Sequence, residues 1–187
     1  MIKLITATAF ALLVSFAAAQ PAIDGAIADG EYANTATHDD SGMVVYWTID
    51  DDMIYMGFTL EARGWVGVGW ADEMTNRKAG FDVIIVTEED GEYVLLDMFQ
   101  ESARGEPVLD SEEGGSNTVV DFAASRDGDL WTVEFSRPLD TGEDTDVAIT
   151  PGTPMIFMGA YANVMDPGRA HGRSTQGGAW YIEDFIF

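Results

Sequence analysis

The sequence predicts an all-β fold, an antiparallel β-sandwich of about nine to eleven strands. Three observations carry this expectation. Apolar residues recur with a period of two, turn signals break the chain at short intervals, and no 10–15-residue helical pattern lies between the apolar runs. In Leu130-Trp131-Thr132-Val133-Glu134-Phe135-Ser136 the residues Trp131, Val133 and Phe135 fall on one face and Thr132, Glu134 and Ser136 on the other, as a half-buried strand requires.

Taken along the chain, the first candidate strand is 43–49. The run in which Ile54, Met56, Phe58 and Leu60 alternate is the second, set off by Asp50-Asp51-Asp52. Strands are then expected over 65–70, 81–87 and 93–99, the last two separated by Asp90-Gly91, a hairpin signal. The stretch 102–117, rich in Gly and Glu, reads as a long surface loop. Strands follow over 119–124 and 130–136, joined at Asp127-Gly128-Asp129. Pro151-Gly152 then precedes 155–163, and 180–187 closes the chain. No internal repeat or linker interrupts the pattern, and 187 residues with 47% hydrophobic content suit one domain with a sizeable core.

Composition removes several function classes. Asp and Glu number 33 against 9 Lys and Arg, a formal charge of −24. Binding to a phosphate backbone requires Lys and Arg, so nucleic acid is not an expected partner. With no cysteine, disulfides, thiolate zinc, cysteine-held iron–sulfur clusters and covalent c-type haem are excluded, and any redox centre must be held by His, Met, Lys or carboxylate. The chain contains no G-x-S-x-G nucleophile elbow and no D-x-D-x-D-G calcium loop. So acidic and lysine-poor a surface suits a saline habitat, where salt screens its self-repulsion, or docking to a basic partner.

Residues 1–19 read as a secretory signal peptide. Lys3 precedes an apolar run from Leu4 to Phe16, and Ala17-Ala18-Ala19 supplies an A-x-A cleavage site. The run is shorter than the ~20 residues of a membrane span. Cleavage after Ala19 would leave residues 20–187 as a single domain in the periplasm or outside the cell, with no membrane span.

Few residues stand out chemically. In Trp65-Val66-Gly67-Val68-Gly69-Trp70 the two glycines share a face of a strand, so a flat partner could approach there; bulges and tight sheet contacts give the same pattern. The polar turn that follows carries Met74 and Lys78. His38 sits in an acidic turn, whereas His171 lies in a basic loop between Arg169 and Arg173. Two guanidinium groups beside an imidazole suit a ligand that carries carboxylates, or they balance nearby Asp and Glu.

Several segments together are similar to the DOMON domain, an extracellular β-sandwich family that includes the haem b cytochrome domain of cellobiose dehydrogenase. They are Ile23-Asp24-Gly25, Gly30-Glu31-Tyr32, the Gly64–Trp70 strand, Phe81-Asp82-Val83-Ile84-Ile85, Pro107, Asp110, Gly114-Gly115, Phe135-Ser136-Arg137-Pro138-Leu139-Asp140-Thr141-Gly142 and His171-Gly172-Arg173. The resemblance implies an immunoglobulin-like sandwich that binds either haem b, non-covalently, or a sugar. For a haem binder it implies ligation by a Met in the turn after the glycine-bearing strand and a His in the loop before the last strand, where Met74 and His171 stand. Lys78, four residues before Asp82, occupies the usual position of the ligand Met in many relatives and is the alternative to Met74. A neutral thioether ligates at any ordinary pH, whereas an amine of pKa near 10.4 is mostly protonated, which favours Met74. The implied pocket would use Gly67 and Gly69 as its floor, Trp65, Trp70 and Tyr161 as aromatic packing partners, and Arg169 and Arg173 for propionates. The expected function is electron transfer to a redox partner protein rather than catalysis. A cofactor-free carbohydrate-binding module and an accessory subunit of an extracytoplasmic oxidoreductase are the alternatives.

Overall fold

The computed structural model describes residues 20–73 and 79–187. Eleven strands run in chain order: β1 (Asn34–His38), β2 (Met43–Asp50), β3 (Met53–Glu61), β4 (Val66–Ala71), β5 (Phe81–Glu89), β6 (Glu92–Gln100), β7 (Val108–Leu109), β8 (Asp121–Asp127), β9 (Leu130–Pro138), β10 (Pro154–Tyr161) and β11 (Gly178–Ile186). They form a five-stranded sheet ordered β1-β2-β3-β9-β8 and a six-stranded sheet ordered β11-β10-β4-β5-β6-β7. Every described strand pairing is antiparallel. The expected all-β sandwich is therefore the observed one.

Alternation builds the core between the sheets. Ile54, Met56, Phe58 and Leu60 of β3, and Trp131, Val133 and Phe135 of β9, are fully or almost fully buried. They pack toward Val66, Val68 and Trp70 of β4 and Ile84 and Val86 of β5. The β5–β6 hairpin closes through the two-residue turn Asp90-Gly91, whose φ values of 53° and 86° meet the demand of a primed turn for left-handed backbone at both positions.

Three features depart from the sequence expectation. Asn34–His38 pairs along β2 as an edge strand, and His38 stacks its ring on Trp180 with centroids 5.0 Å apart rather than lying free in an acidic turn. The 102–117 stretch is not all surface loop. It contributes β7 and a short 3-10 turn, Asp110–Glu112, whose first residue is buried. Glu134 and Ser136, expected on a solvated face, are also buried. The N-terminal segment crosses that face, and its backbone N–H groups at Asp24, Gly25 and Ala26 donate to Glu134 Oε2 at 3.3, 2.8 and 3.0 Å. Tyr32 Oη donates to Oε1 at 2.8 Å. Among the described residues no helix is long and apolar enough to cross a membrane.

Candidate functional site

The six-stranded sheet is apolar on both faces. Its outer face carries a second hydrophobic cluster formed by Trp65, Ala71, Phe81, Val83, Ile85, Ile156, Met158, Ala160 and Ala162. A sandwich ordinarily presents polar residues there, so this face must be covered. Two chain segments do so, 101–107 after β6 and 163–177 before β11. Between them and the sheet lies a cavity that is open on one side. Trp65, Gly67, Phe81, Val83, Ile85, Met158 and Ala160 line its floor and apolar sides together with the buried Gln100; Glu106, Pro107, Pro167, Ala170 and His171 stand toward its rim.

The 163–177 segment is tied down by local hydrogen bonding, which fixes His171 relative to the sheet. Trp65 N–H donates to the Val164 carbonyl at 3.0 Å, and Trp65 Nε1 donates to the Arg169 carbonyl at 3.1 Å. Thr175 Oγ1, itself buried, donates to the carbonyls of Ala170 and Gly172. At Gly64 a Cβ would run into the Val164 backbone, so only glycine lets this segment approach so closely. Gly67 has a comparable role in the floor. A Cβ there would stand 2.8 Å from the Ile84 carbonyl oxygen and 3.3 Å from Ile85 Cγ1, taking up space at the cavity floor.

The structure brings Trp65, Gly67 and His171 together around one cavity. Gly69 lies on the same face one step along β4, under the Met158 methyl group, which a Cβ would approach to 3.1 Å. Arg169 is exposed on the segment that walls the cavity. Arg173 instead borders a separate polar recess with Arg63, Asn163 and Gln176. Trp70 and Tyr161 require correction as packing partners for a ligand in this cavity. Strand alternation points both toward the inter-sheet core. Trp70 donates its Nε1 to the Val147 carbonyl at 3.0 Å, and the Arg137 guanidinium lies 5.1 Å from its ring centroid. Tyr161 shares the parity of Met155 and Phe157, whereas Met158 and Ala160, of the other parity, face the cavity. Met74 and Lys78 lie outside the described residues.

Sequence reasoning missed the greater part of the lining: Phe81, Val83, Ile85, Met158, Ala160 and the 105–107 wall. A signal was present, since residues 83–86 of β5 form an unbroken apolar run, which marks a strand covered on both faces rather than one.

This outer-face cavity on an antiparallel sandwich is the candidate binding site of the domain. The family profile of the DOMON domain matches residues 39–162, and the chain belongs to that family, whose members are haem-binding or carbohydrate-binding domains. Among solved structures, the cytochrome b domain of pyranose dehydrogenase from Coprinopsis cinerea is similar at 11% identity and a TM-score of 0.49, over 80% of each chain. The cytochrome domain of Myriococcum thermophilum cellobiose dehydrogenase is similar at 13% identity and a TM-score of 0.48, over 80% of this chain and 87% of that one. A family 9 carbohydrate-binding module from Caldicellulosiruptor kristjanssonii, in complex with glucose, is similar at 14% identity and a TM-score of 0.46, over 88% and 81%. No curated protein sequence matches the chain significantly.

Proposed function

We propose that this domain holds haem b non-covalently in the outer-face cavity and transfers single electrons between partner proteins outside the cytoplasm. The observation that carries this reading is the cavity itself, an apolar recess floored by Gly67 with the half-buried His171 imidazole at its rim. The donor set fits such a group. With no cysteine in the chain, attachment must be through coordination, and His171 would be one ligand to the iron. Met74, which follows β4 in the sequence, would be the second ligand, with Lys78 as the alternative.

When bound, haem supplies a reversible one-electron couple, whose potential Met/His ligation raises. The chain's own residues do the rest. With His171 and Met74 both committed to holding the group, the site would carry electrons and do no bond chemistry. Phe81, Val83, Ile85 and Met158, which line the cavity, would keep water from the bound group, a further lever on the potential. Arg169, exposed on the cavity wall, would pair with the ligand's carboxylates in fork geometry; Arg173, facing another recess, is the weaker candidate. The −24 charge would steer the domain to a basic docking face on its redox partner, and residues 1–19 would direct export.

A carbohydrate site is the second reading within the family. It needs an aromatic face open to solvent, and Trp65, the tryptophan at this cavity, is only 3% exposed, which favours an enclosed apolar ligand over a stacked sugar. The test is the absorption spectrum of the full chain reconstituted with haem, oxidised and reduced. A six-coordinate low-spin spectrum is expected. His171→Ala should abolish it and Met74→Ala should convert it to high spin, while Lys78→Ala leaves it unchanged. A wild-type protein with no low-spin bands, or a His171→Ala spectrum identical to wild type, would overturn the proposal.

A further inference from the structure

On the opposite face of β5 from the cavity, between the sheets, lies a second concentration of chemistry. Asp82 of β5, Asp97 of β6 and Asp146 of the β9–β10 connection each offer a carboxylate oxygen within 4.8 Å of the others, all three being buried or nearly so. Two oxygens on opposite sides of a cation with bonds of about 2.4 Å are separated by that same distance.

The hydrogen bonding divides each carboxylate in the same way. Arg137 Nη1 donates to Asp82 Oδ2 at 2.8 Å, and the Val147 N–H donates to that same oxygen at 3.1 Å. Thr118 donates its N–H and its hydroxyl to Asp97 Oδ2 at 2.8 and 3.0 Å. Thr141 Oγ1 donates to Asp146 Oδ2, which also lies 3.3 Å from Arg137 Nη2. In every case Oδ2 is held by protein donors and the buried Oδ1 meets none. One oxygen oriented by a supporting group and the other left free is how protein carboxylates are set for a metal.

A fourth carboxylate, outside that trio, points the same way. Asp110, at the start of the 3-10 turn, is 0% exposed, and neither of its carboxylate oxygens has a hydrogen-bond donor. Asp97, Asp82 and Asp146 all act on it electrostatically, and its carboxyl faces that of Asp146. Four carboxylates against the one Arg137 guanidinium leave a buried excess of negative charge, and burying uncompensated charge is strongly unfavourable.

We propose that Asp82, Asp97, Asp110 and Asp146 form an inter-sheet site for a divalent cation, calcium by its chemistry. The donors are all hard oxygens, which disfavours zinc and copper. Magnesium keeps several of its waters and demands near-ideal octahedral geometry, whereas calcium accepts an irregular, largely dehydrated set of carboxylates. A bound cation would clamp the 3-10 turn and the 113–118 strap, which Glu143 and Asp97 already hold from below through Ser116 and Thr118, against β5 and β6.

The test uses the full chain stripped with EGTA, then titrated calorimetrically with calcium chloride and, separately, with magnesium chloride, with thermal unfolding in parallel. One calcium per chain is expected, with Tm raised by about 5–10 °C at a hundredfold excess over Kd and a smaller response to magnesium. Asp110→Asn should lose the calcium response while melting no lower than the stripped wild type, because the carboxyl it replaces accepts no hydrogen bond that would be lost. Asp90→Asn, in an exposed turn, should keep the full response. Absence of saturable 1:1 binding overturns the proposal. So does a calcium response undiminished in Asp110→Asn, which would indicate adsorption to the acidic surface. Should Asp110→Asn fail to fold, Asp97→Asn is judged by the same loss of response.

Discussion

Glu134 offers the most direct test of how the outer face of the five-stranded sheet is held. Its carboxylate accepts four hydrogen bonds from a segment more than a hundred residues earlier in the chain, two of them, from Gly25 and Tyr32, fully buried. In Glu134→Ala the two buried donors lose their acceptor, at about 1–3 kcal/mol each, and the two partly buried ones add roughly 0.5 kcal/mol each. The expected loss is therefore about 5 kcal/mol, or roughly 10–20 °C in Tm for a chain of this size. Glu134→Gln behaves differently. Its amide oxygen can accept the three N–H groups now on Oε2, and its NH₂ can donate to the Tyr32 oxygen, whose hydroxyl turns from donor to acceptor. Only the charge assistance is lost, about 1 kcal/mol. Urea unfolding at pH 7 measures both variants, with limited proteolysis following release of residues 20–33. A Glu134→Ala cost below about 1.5 kcal/mol, or equal costs for the two variants, would refute the reasoning.

Two further outcomes follow from the same geometry. Gly67→Leu should abolish ligand uptake by the outer-face cavity, because its Cβ would already stand 2.8 Å from the Ile84 carbonyl oxygen and the rest of the side chain would fill the floor; a haem absorbance titration, with far-ultraviolet circular dichroism to confirm retained strands, reads this. In the EGTA-stripped protein, burial pushes the Asp82 carboxyl up to about 7, against the pull of Arg137, and that of Asp110 up to about 8, where neighbouring carboxylates add to the effect. The folded state then holds protons that the unfolded chain releases near pH 4, so stability falls as pH rises from about 4 to 8. The urea midpoint should be lower at pH 8.5 than at pH 5.5, and saturating calcium should flatten that slope; a midpoint that climbs with pH would contradict it.

The strands were legible in the sequence wherever alternation was strong. Ile54, Met56, Phe58 and Leu60 announced the inner face of β3, and Asp90-Gly91 announced the β5–β6 hairpin turn, because both signals are local and depend only on backbone period and left-handed φ. β1, with the polar sequence Asn34-Thr35-Ala36-Thr37-His38, carried no such pattern and is a strand through its pairing with β2. Trp70 and Tyr161 illustrate a different limit. Residue type marked them as aromatic partners, but which face of a strand meets a ligand is decided by which face meets the other sheet. The parity of Val66 and Val68 in the core carries Trp70 inward with them. Of the site, the Gly67 floor and the His171 rim were visible as unusual residues in unusual places. The cavity's walls were not, since Pro107 and Pro167 stand near one another only after two separate loops fold over the same sheet.

Composition and period alone therefore determined the class of molecule: an acidic, cysteine-free β-sandwich with a glycine-bearing strand and one histidine in a basic loop. These are properties of single residues and their immediate neighbours. Tertiary structure decided the rest, including the covered outer face, the burial of Glu134 under the N-terminal segment and the meeting of Asp82, Asp97, Asp110 and Asp146 around Arg137. Each of these joins groups far apart in the chain, and their separation in space is set by sheet order and register. No spacing along the sequence encodes them directly.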